Sequence, residues 1–72
     1  MTILRVTSDS LVMRGGPGRN CVRRRFLPKK SVLTQLYPEP IYAEGSNWLY
    51  VEAKDGAKGW VNHRFVEEVP SV

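Results

Sequence analysis

Apolar and polar side chains alternate along several short segments of this chain, and turn-forming residues separate the segments. The alternation is clearest in residues 48–53, where Leu49 and Val51 share one face and Trp48 and Tyr50 share the other. A period of two with β-branched and aromatic residues is typical of half-buried strands. The aliphatic face is therefore expected to join a core, and the aromatic face is expected to point outward. The chain is predicted to be all-β.

A hairpin is predicted to follow this segment. An Asp-Gly dipeptide favours a tight turn between two strands, so residues 48–53 should pair antiparallel with residues 58–62. Residues 62–65 are too few for a regular α-helix and predict a single tight turn. Residues 66–69 are then expected to form a closing strand.

Residues 14–20 contain three glycines and Pro17, and this composition predicts a loop. Glycine reaches positive φ angles without strain, and proline lacks the N–H that a strand ladder needs. A strand is expected over residues 22–28. The loop does not fit a phosphate cradle, because no Lys-Ser or Lys-Thr pair follows it and no helix begins after it.

With 72 residues, the chain is predicted to form one domain that spans residues 1–72. Ordering a chain costs on the order of 1.5 kcal/mol per residue, so a domain of this size has little apolar surface to spare for a deep catalytic cavity. The sequence holds one histidine, His63, and one cysteine, Cys21. A nucleophile needs a base and a third group that orients the base, and two ligands do not complete a zinc shell. The protein is therefore expected to have no enzymatic activity, no cofactor and no metal ion.

Charge is distributed unevenly along the chain. The net charge is +4, but residues 1–30 carry +7 and residues 31–72 carry −3. The basic excess predicts a basic patch that consists of Arg19, Arg23, Arg24, Arg25, Lys29 and Lys30. Such a patch protects an exposed strand edge from unwanted pairing, or it forms salt bridges to Glu67 and Glu68 of a neighbouring copy. Nucleic-acid binding through the patch is a less favoured alternative, since a net charge of +4 is moderate.

The sequence also bears on location. No apolar run approaches the length of a membrane span, and the charged first residues do not resemble a signal peptide. No membrane partner is expected. A single cysteine excludes an internal disulfide, which suits a reducing compartment. The expected location is the cytoplasm or a larger particle, and association with a cell wall would require export by another route.

Five motifs occur in order along the chain: Leu-Val-Met-Arg-Gly-Gly-Pro at 11–17, Trp-Leu-Tyr-Val at 48–51, Asp-Gly at 55–56, Gly-Trp-Val at 59–61 and Phe-Val at 65–66. In this order and at these spacings they resemble the bacterial SH3-like family, often called SH3b. The resemblance implies a small, partly open SH3-like barrel of five to six strands with one short 3-10 turn. Arg24 departs from the family pattern, which usually has a small residue there. Since Arg24 shares its parity with Val22 and Phe26, either a bulge re-aims it or its strand lies at an edge.

Aromatic side chains supply the candidate site. A shallow group of rings offers a large apolar area with a polar edge and suits an extended peptide. The alternative is that the rings only cover the sheet. The resemblance implies peptide ligands, bound in a groove between the glycine loop and the tryptophan hairpin. The expected peptide-binding residues are Arg14, Tyr37, Tyr42, Trp48, Tyr50 and Trp60.

The favoured function is recognition of a protein or peptide partner by a free-standing interaction or assembly module. Peptidoglycan stem peptides are an alternative ligand, because domains of the resembled family commonly bind them when attached to secreted wall hydrolases. Nucleic acid is the third ligand class. Pairing between strand edges of two copies is a further alternative, because a small open barrel leaves strand groups unpaired.

Overall fold

The computed structural model describes residues 2–70, and these residues form eight strands and one 3-10 helix. The strands are β1 (Ile3–Val6), β2 (Ser10–Arg14), β3 (Arg23–Pro28), β4 (Val32–Gln35), β5 (Ile41–Ala43), β6 (Ser46–Ala53), β7 (Lys58–Asn62) and β8 (Val66–Val69), and the 3-10 helix (His63–Phe65) lies between β7 and β8. Every strand pairing is antiparallel. The all-β class and the short 3-10 turn are therefore confirmed.

The strands form one open sheet. Its order is β3-β2-β7-β6-β4-β1-β8, and β5 pairs with the first half of β6. Across residues 2–70, no pairing joins β3 to β8, so these two strands end the sheet order, and the short strand β5, which pairs only with β6, leaves a third free edge. The expectation of five to six strands is wrong. One unexpected strand is β5, which directly follows Pro40 and pairs with β6 without needing the missing proline N–H.

The second half of the chain follows the sequence pattern closely. The hairpin between β6 and β7 is confirmed, with Leu49 opposite Val61. The tight turn appears as the 3-10 helix, whose first turn is capped by Asn62: its side-chain oxygen accepts a hydrogen bond from Arg64 N at 2.9 Å. The closing strand β8 has the predicted bounds.

One face of the sheet forms the core. Alternation directs aliphatic or methionine side chains of β1, β2, β6 and β7 to one face, where Leu27 of β3 and Leu33 of β4 join them. The buried core residues are Leu4, Val6, Leu11, Met13, Leu27, Leu33, Leu49, Val51 and Val61. The prediction that Leu49 and Val51 point into the core is confirmed.

Trp48 departs from the expectation for the opposite face. Its side chain is only 3% exposed, so the expectation that it points outward into solvent is wrong. The reason is β5, which places Ile41 directly opposite Trp48 on β6. The indole Nε1 donates a hydrogen bond to the carbonyl oxygen of Ala43 at 3.0 Å, so its polar group is satisfied inside the fold.

Both alternatives expected for Arg24 are present in β3: the strand lies at an edge, and a bulge changes the direction of the Arg24 side chain. Strand β3 lies at an edge, because it pairs only with β2 among the described strands. Met13 pairs with Arg25 while Arg14 pairs with Arg23, so Arg24 is an extra residue opposite no partner. This bulge shifts the side-chain parity of the strand, and all three arginines are exposed.

Strands β2 and β7 approach each other closely at Gly59. A Cβ at this position would lie 2.5 Å from Met13 Cγ and 2.8 Å from the carbonyl oxygen of Arg14. Only glycine allows this approach. The approach brings Arg14 directly opposite Trp60 in the β2–β7 pair, which matters for the surface described next.

Candidate functional site

Three aromatic rings meet on the sheet face opposite the core, and we call them the aromatic cluster: Tyr37, Tyr50 and Trp60. Tyr50 and Trp60 are opposite each other in the β6–β7 pair, and their ring centroids are 5.1 Å apart. Tyr37 stacks on Tyr50 at a centroid distance of 4.9 Å. The structure thus brings together three of the five aromatic residues expected from the sequence.

Backbone contacts hold Tyr37 in this position, although it lies beyond the end of β4. The N–H of Leu36 donates to the carbonyl oxygen of Tyr50 at 2.8 Å, which extends the β4–β6 contact by one residue. The side chain of Gln35 donates to the carbonyl oxygen of Tyr37 at 2.7 Å. Tyr37 remains 53% exposed, while Tyr50 and Trp60 are half-buried. The cluster therefore presents ring surface to solvent in a fixed arrangement.

A groove of about 290 Å³ lies beside the aromatic cluster. Its wall includes three arginines, and we call it the arginine groove, formed mainly by Arg14, Arg19, Trp48, Asn62, Arg64 and Phe65. None of the ten residues that line it is acidic. The groove therefore combines an indole at its base with a local excess of positive charge, which favours an anionic group.

Local contacts place the arginines around the groove. Arg14 donates from Nη1 to the carbonyl oxygen of Cys21 at 3.1 Å and so closes the base of the glycine loop. The Glu44 carboxylate accepts hydrogen bonds from the backbone N–H of Arg19 and from the Asn20 side chain. These contacts tie the loop to the turn between β5 and β6, so that Arg19 lines the groove while Glu44 does not.

The aromatic cluster and the arginine groove form one continuous surface. Trp48 is opposite Asn62 in the β6–β7 pair, two residues along from the Tyr50–Trp60 pair and on the same face. Two residues of strand span about 7 Å. Arg14 joins the two parts, because it lines the groove and is opposite Trp60 in the β2–β7 pair.

Two other expected binding residues take different positions. Tyr42 lies on β5 opposite Asn47 and is 71% exposed, but it belongs to neither the aromatic cluster nor the arginine groove. Trp48 forms the base of the groove instead of an exposed platform. Sequence analysis did not select Arg64 and Phe65. The tight turn predicted after β7 could have indicated these two residues. A turn at that place lies against β6, the strand that carries Trp48.

The basic patch expected from the sequence is divided among several places. Arg19 lines the arginine groove, and Lys29 and Lys30 follow β3 in a turn in which Lys30 has a φ of +74°. Arg23, Arg24 and Arg25 lie on the edge strand β3. Arg25 donates to Asp55 in an ion pair, and this hydrogen bond, with a second from the Ala57 N–H, lowers the pKa of the Asp55 carboxyl below its ordinary value of 3.8.

The described residues offer few features that suggest other chemistry. No group of three or more His, Cys, Asp or Glu side chains within residues 2–70 is arranged to hold a metal ion. Cys21 is a free, partly buried thiol that lies next to Gly16, and His63 is exposed at the start of the 3-10 helix. No helix in this part of the chain is both long enough and apolar enough to cross a membrane.

Comparisons of the chain with protein-family models, with curated proteins and with solved structures return no significant match. The resemblance to the bacterial SH3-like family therefore rests on the five sequence motifs.

Proposed function

We propose that this protein is a non-enzymatic binding module that recognises an extended, acidic peptide segment of a protein partner. The observation that supports this function is the continuity of the aromatic cluster with the arginine groove on one sheet face. Aromatic rings contribute apolar contact area at little entropic cost, and arginines form directed hydrogen bonds to carboxylates.

The spacing of the surface suits an extended chain. Side chains i and i+2 of a peptide strand point in the same direction and lie about 7 Å apart. The Trp48–Asn62 and Tyr50–Trp60 pairs have the same separation, since they too are two residues apart on paired strands. One peptide side chain would therefore contact the aromatic cluster while an acidic side chain two positions away enters the arginine groove.

An SH3-like barrel is the fold that we propose for this module. The glycine loop borders the groove, Arg14 closes the base of that loop, and the 3-10 helix directly precedes the last strand. These features agree with the motif order that the sequence shares with the SH3-like family. Among the described residues the end strands β3 and β8 do not pair with each other, and a partly closed barrel also leaves its end strands unpaired.

Peptidoglycan stem peptides are a second candidate ligand, because the arginine groove would accept a carboxylate from any source. Nucleic acid suits the structure less well. A phosphate backbone needs a continuous row of cations, whereas the Arg25 guanidinium on β3 is already paired with Asp55.

Selection from a phage-displayed library of random dodecamers tests the proposal. We expect enrichment of sequences with an acidic residue two positions from an aromatic or large apolar residue. Binding of a selected peptide should shift the indole N–H signals of Trp48 and Trp60 in NMR spectra. An absence of enrichment over an empty surface would contradict the proposal.

Variants then identify the surface. Trp60→Ala and Arg64→Glu should each lower the affinity for the selected peptide by about tenfold or more. The first removes ring contact area, and the second removes a guanidinium that would hydrogen-bond a peptide carboxylate. Tyr42→Ala is the matched aromatic control and Lys54→Glu, at a position outside the groove, is the matched charge control, and both should bind as the wild type does. Equal affinities for Arg64→Glu and the wild type would exclude the groove. Cosedimentation of the protein with purified peptidoglycan would favour stem peptides as the ligand, and a protein that stays in the supernatant would exclude them.

A further inference from the structure

The two end strands of the open sheet, β3 and β8, carry charges of opposite sign. Strand β3 begins with Arg23, Arg24 and Arg25, and all three are exposed. Strand β8 has Glu67 and Glu68 at its centre, and both are exposed. The basic edge of one molecule therefore complements the acidic edge of another.

Each edge also has backbone groups without a strand partner. Among residues 2–70, β3 pairs only with β2, and β8 pairs only with β1. The outward N–H and C=O groups of an edge strand form hydrogen bonds with another strand that approaches in register. The four residues of β8 match the length of the exposed segment 23–26 of β3.

Charge disfavours the symmetric arrangements. Like charges directly opposite each other in a sheet are destabilising, whereas opposite charges are stabilising. A pair of β3 edges would oppose arginines, and a pair of β8 edges would oppose glutamates. Of these two strands, the combination that remains is β3 of one molecule with β8 of the next, and the other free edge, β5, has three residues and no charge to direct pairing.

We propose that this protein associates head to tail with copies of itself, through addition of β3 to β8. Such an interface uses a different surface on each molecule, so it produces a ring if the rotation closes and a filament if it does not. The inference goes beyond the proposed peptide binding and is independent of it. Neither edge strand includes a residue of the aromatic cluster or of the arginine groove.

Side chains at the edges can contribute to this interface. Glu67 forms an exposed ion pair with Arg5 at 3.0 Å, and such pairs are weak enough to exchange for a new partner. Val22 and Phe26 are 68% and 63% exposed at the β3 edge. A second molecule along this edge would cover part of their apolar surface and add to the charge attraction.

Sedimentation velocity of the full chain tests this inference. At about 25 mM NaCl, species heavier than the 8.2 kDa monomer should increase with protein concentration. At about 500 mM NaCl the protein should return to the monomer, because salt screens the edge charges. A monomer at every concentration in low salt would overturn the inference.

Charge-reversed pairs sharpen the test. R23E/R24E makes both edges acidic and E67K/E68K makes both edges basic, so each variant alone should be monomeric. An equimolar mixture should assemble, because each acidic edge then meets a basic one. Assembly of either variant alone, or a mixture that stays monomeric while circular dichroism shows both variants folded, would rule against β3–β8 pairing.

Two control variants separate the edges from other surfaces. Lys58→Glu reverses one charge on the inner strand β7, half the change in net charge that R23E/R24E makes, and should assemble like the wild type. Trp60→Ala impairs the proposed peptide site and should also assemble normally. Loss of assembly in either control would contradict the assignment to β3 and β8.

Discussion

The hairpins β6–β7 and β2–β3 both contain aromatic residues but bury them to different extents. Strand β6 lies inside the sheet, with β7 and β4 on its two sides and β5 against its first half, and it buries residues on both faces. Strand β3 lies at an edge, and five of its six residues are exposed. Trp48 is 3% exposed, whereas Phe26 is 63% exposed. Burial of an aromatic residue therefore depends on the neighbours of its strand as well as on its face.

The difference has a functional consequence. The central hairpin supplies a fixed surface, because its backbone is hydrogen-bonded on both sides and its rings pack on one another. The edge hairpin supplies charge and unpaired backbone groups. We therefore expect the two hairpins to respond differently to the same type of substitution.

The largest difference is expected when each aromatic residue is truncated. Trp48→Ala should destabilise the fold by about 3–5 kcal/mol, because it removes a buried indole and leaves a cavity. Phe26→Ala should cost less than about 1 kcal/mol, because most of the ring already contacts water. Urea unfolding followed by circular dichroism measures both values. Similar losses of stability for the two variants would break the comparison.

Glycine substitutions should give an intermediate difference. Gly59→Ala forces a Cβ against the backbone carbonyl of Arg14 and against Met13 in the core, and should cost about 1–3 kcal/mol. Gly15→Ala is the matched control in the edge hairpin. Its Cβ would meet the side chains of Val22 and Arg24 at 2.8 and 3.2 Å, but both side chains are exposed and the three nearest atoms include no backbone atom. Thermal unfolding should therefore show a clear loss for Gly59→Ala and little change for Gly15→Ala.

The smallest effect is expected from the ion pair between the two hairpins. Arg25 of β3 holds the pKa of Asp55 below the ordinary value of 3.8, so the stabilising contribution of Asp55 is fully present above that pH. It is lost as the pH falls through the lowered pKa of the folded state. Asp55→Asn should therefore be slightly less stable than the wild type at neutral pH, and the difference should vanish in acid.

Urea midpoints between about pH 6 and about pH 2 measure this effect. Asp9→Asn serves as a control, because Asp9 is an exposed acid on the chain outside the Arg25–Asp55 pair. A difference between Asp55→Asn and the wild type that is independent of pH would show that the ion pair is not the cause.

The sequence predicts the second half of the fold well. Alternation identifies the core face of β6, and turn residues place β7, the 3-10 helix and β8. Strands β6 and β7 are adjacent in sequence and pair with each other, and the turn before β8 marks its start although β8 pairs with β1, so the signals for the bounds of these elements are local. The bulge or edge position of Arg24 also follows from parity, because an arginine on the same face as Val22 and Phe26 does not fit a regular buried strand.

Other features depend on contacts that alternation does not encode. Trp48 and Tyr50 have the same parity, but β5 covers only Trp48. Strand β5 itself has three residues, too few for a period of two to be recognised. Arg64 enters the candidate site because the 3-10 helix lies against β6, so that Arg64 and Arg19 line one groove although they are far apart in the chain. These contacts explain why three of the expected aromatic residues come together while Trp48 and Tyr42 do not.

The Glu44 carboxylate links two segments that are far apart in the chain, since it accepts hydrogen bonds from Arg19 and Asn20 in the glycine loop. One turn side chain thus holds the glycine loop, and with it Arg19, in place beside the arginine groove. Shortening or removing that side chain would alter the groove without touching the strands or the hydrophobic interior. A substitution at this exposed hairpin tip would therefore change the proposed binding surface while leaving the core intact.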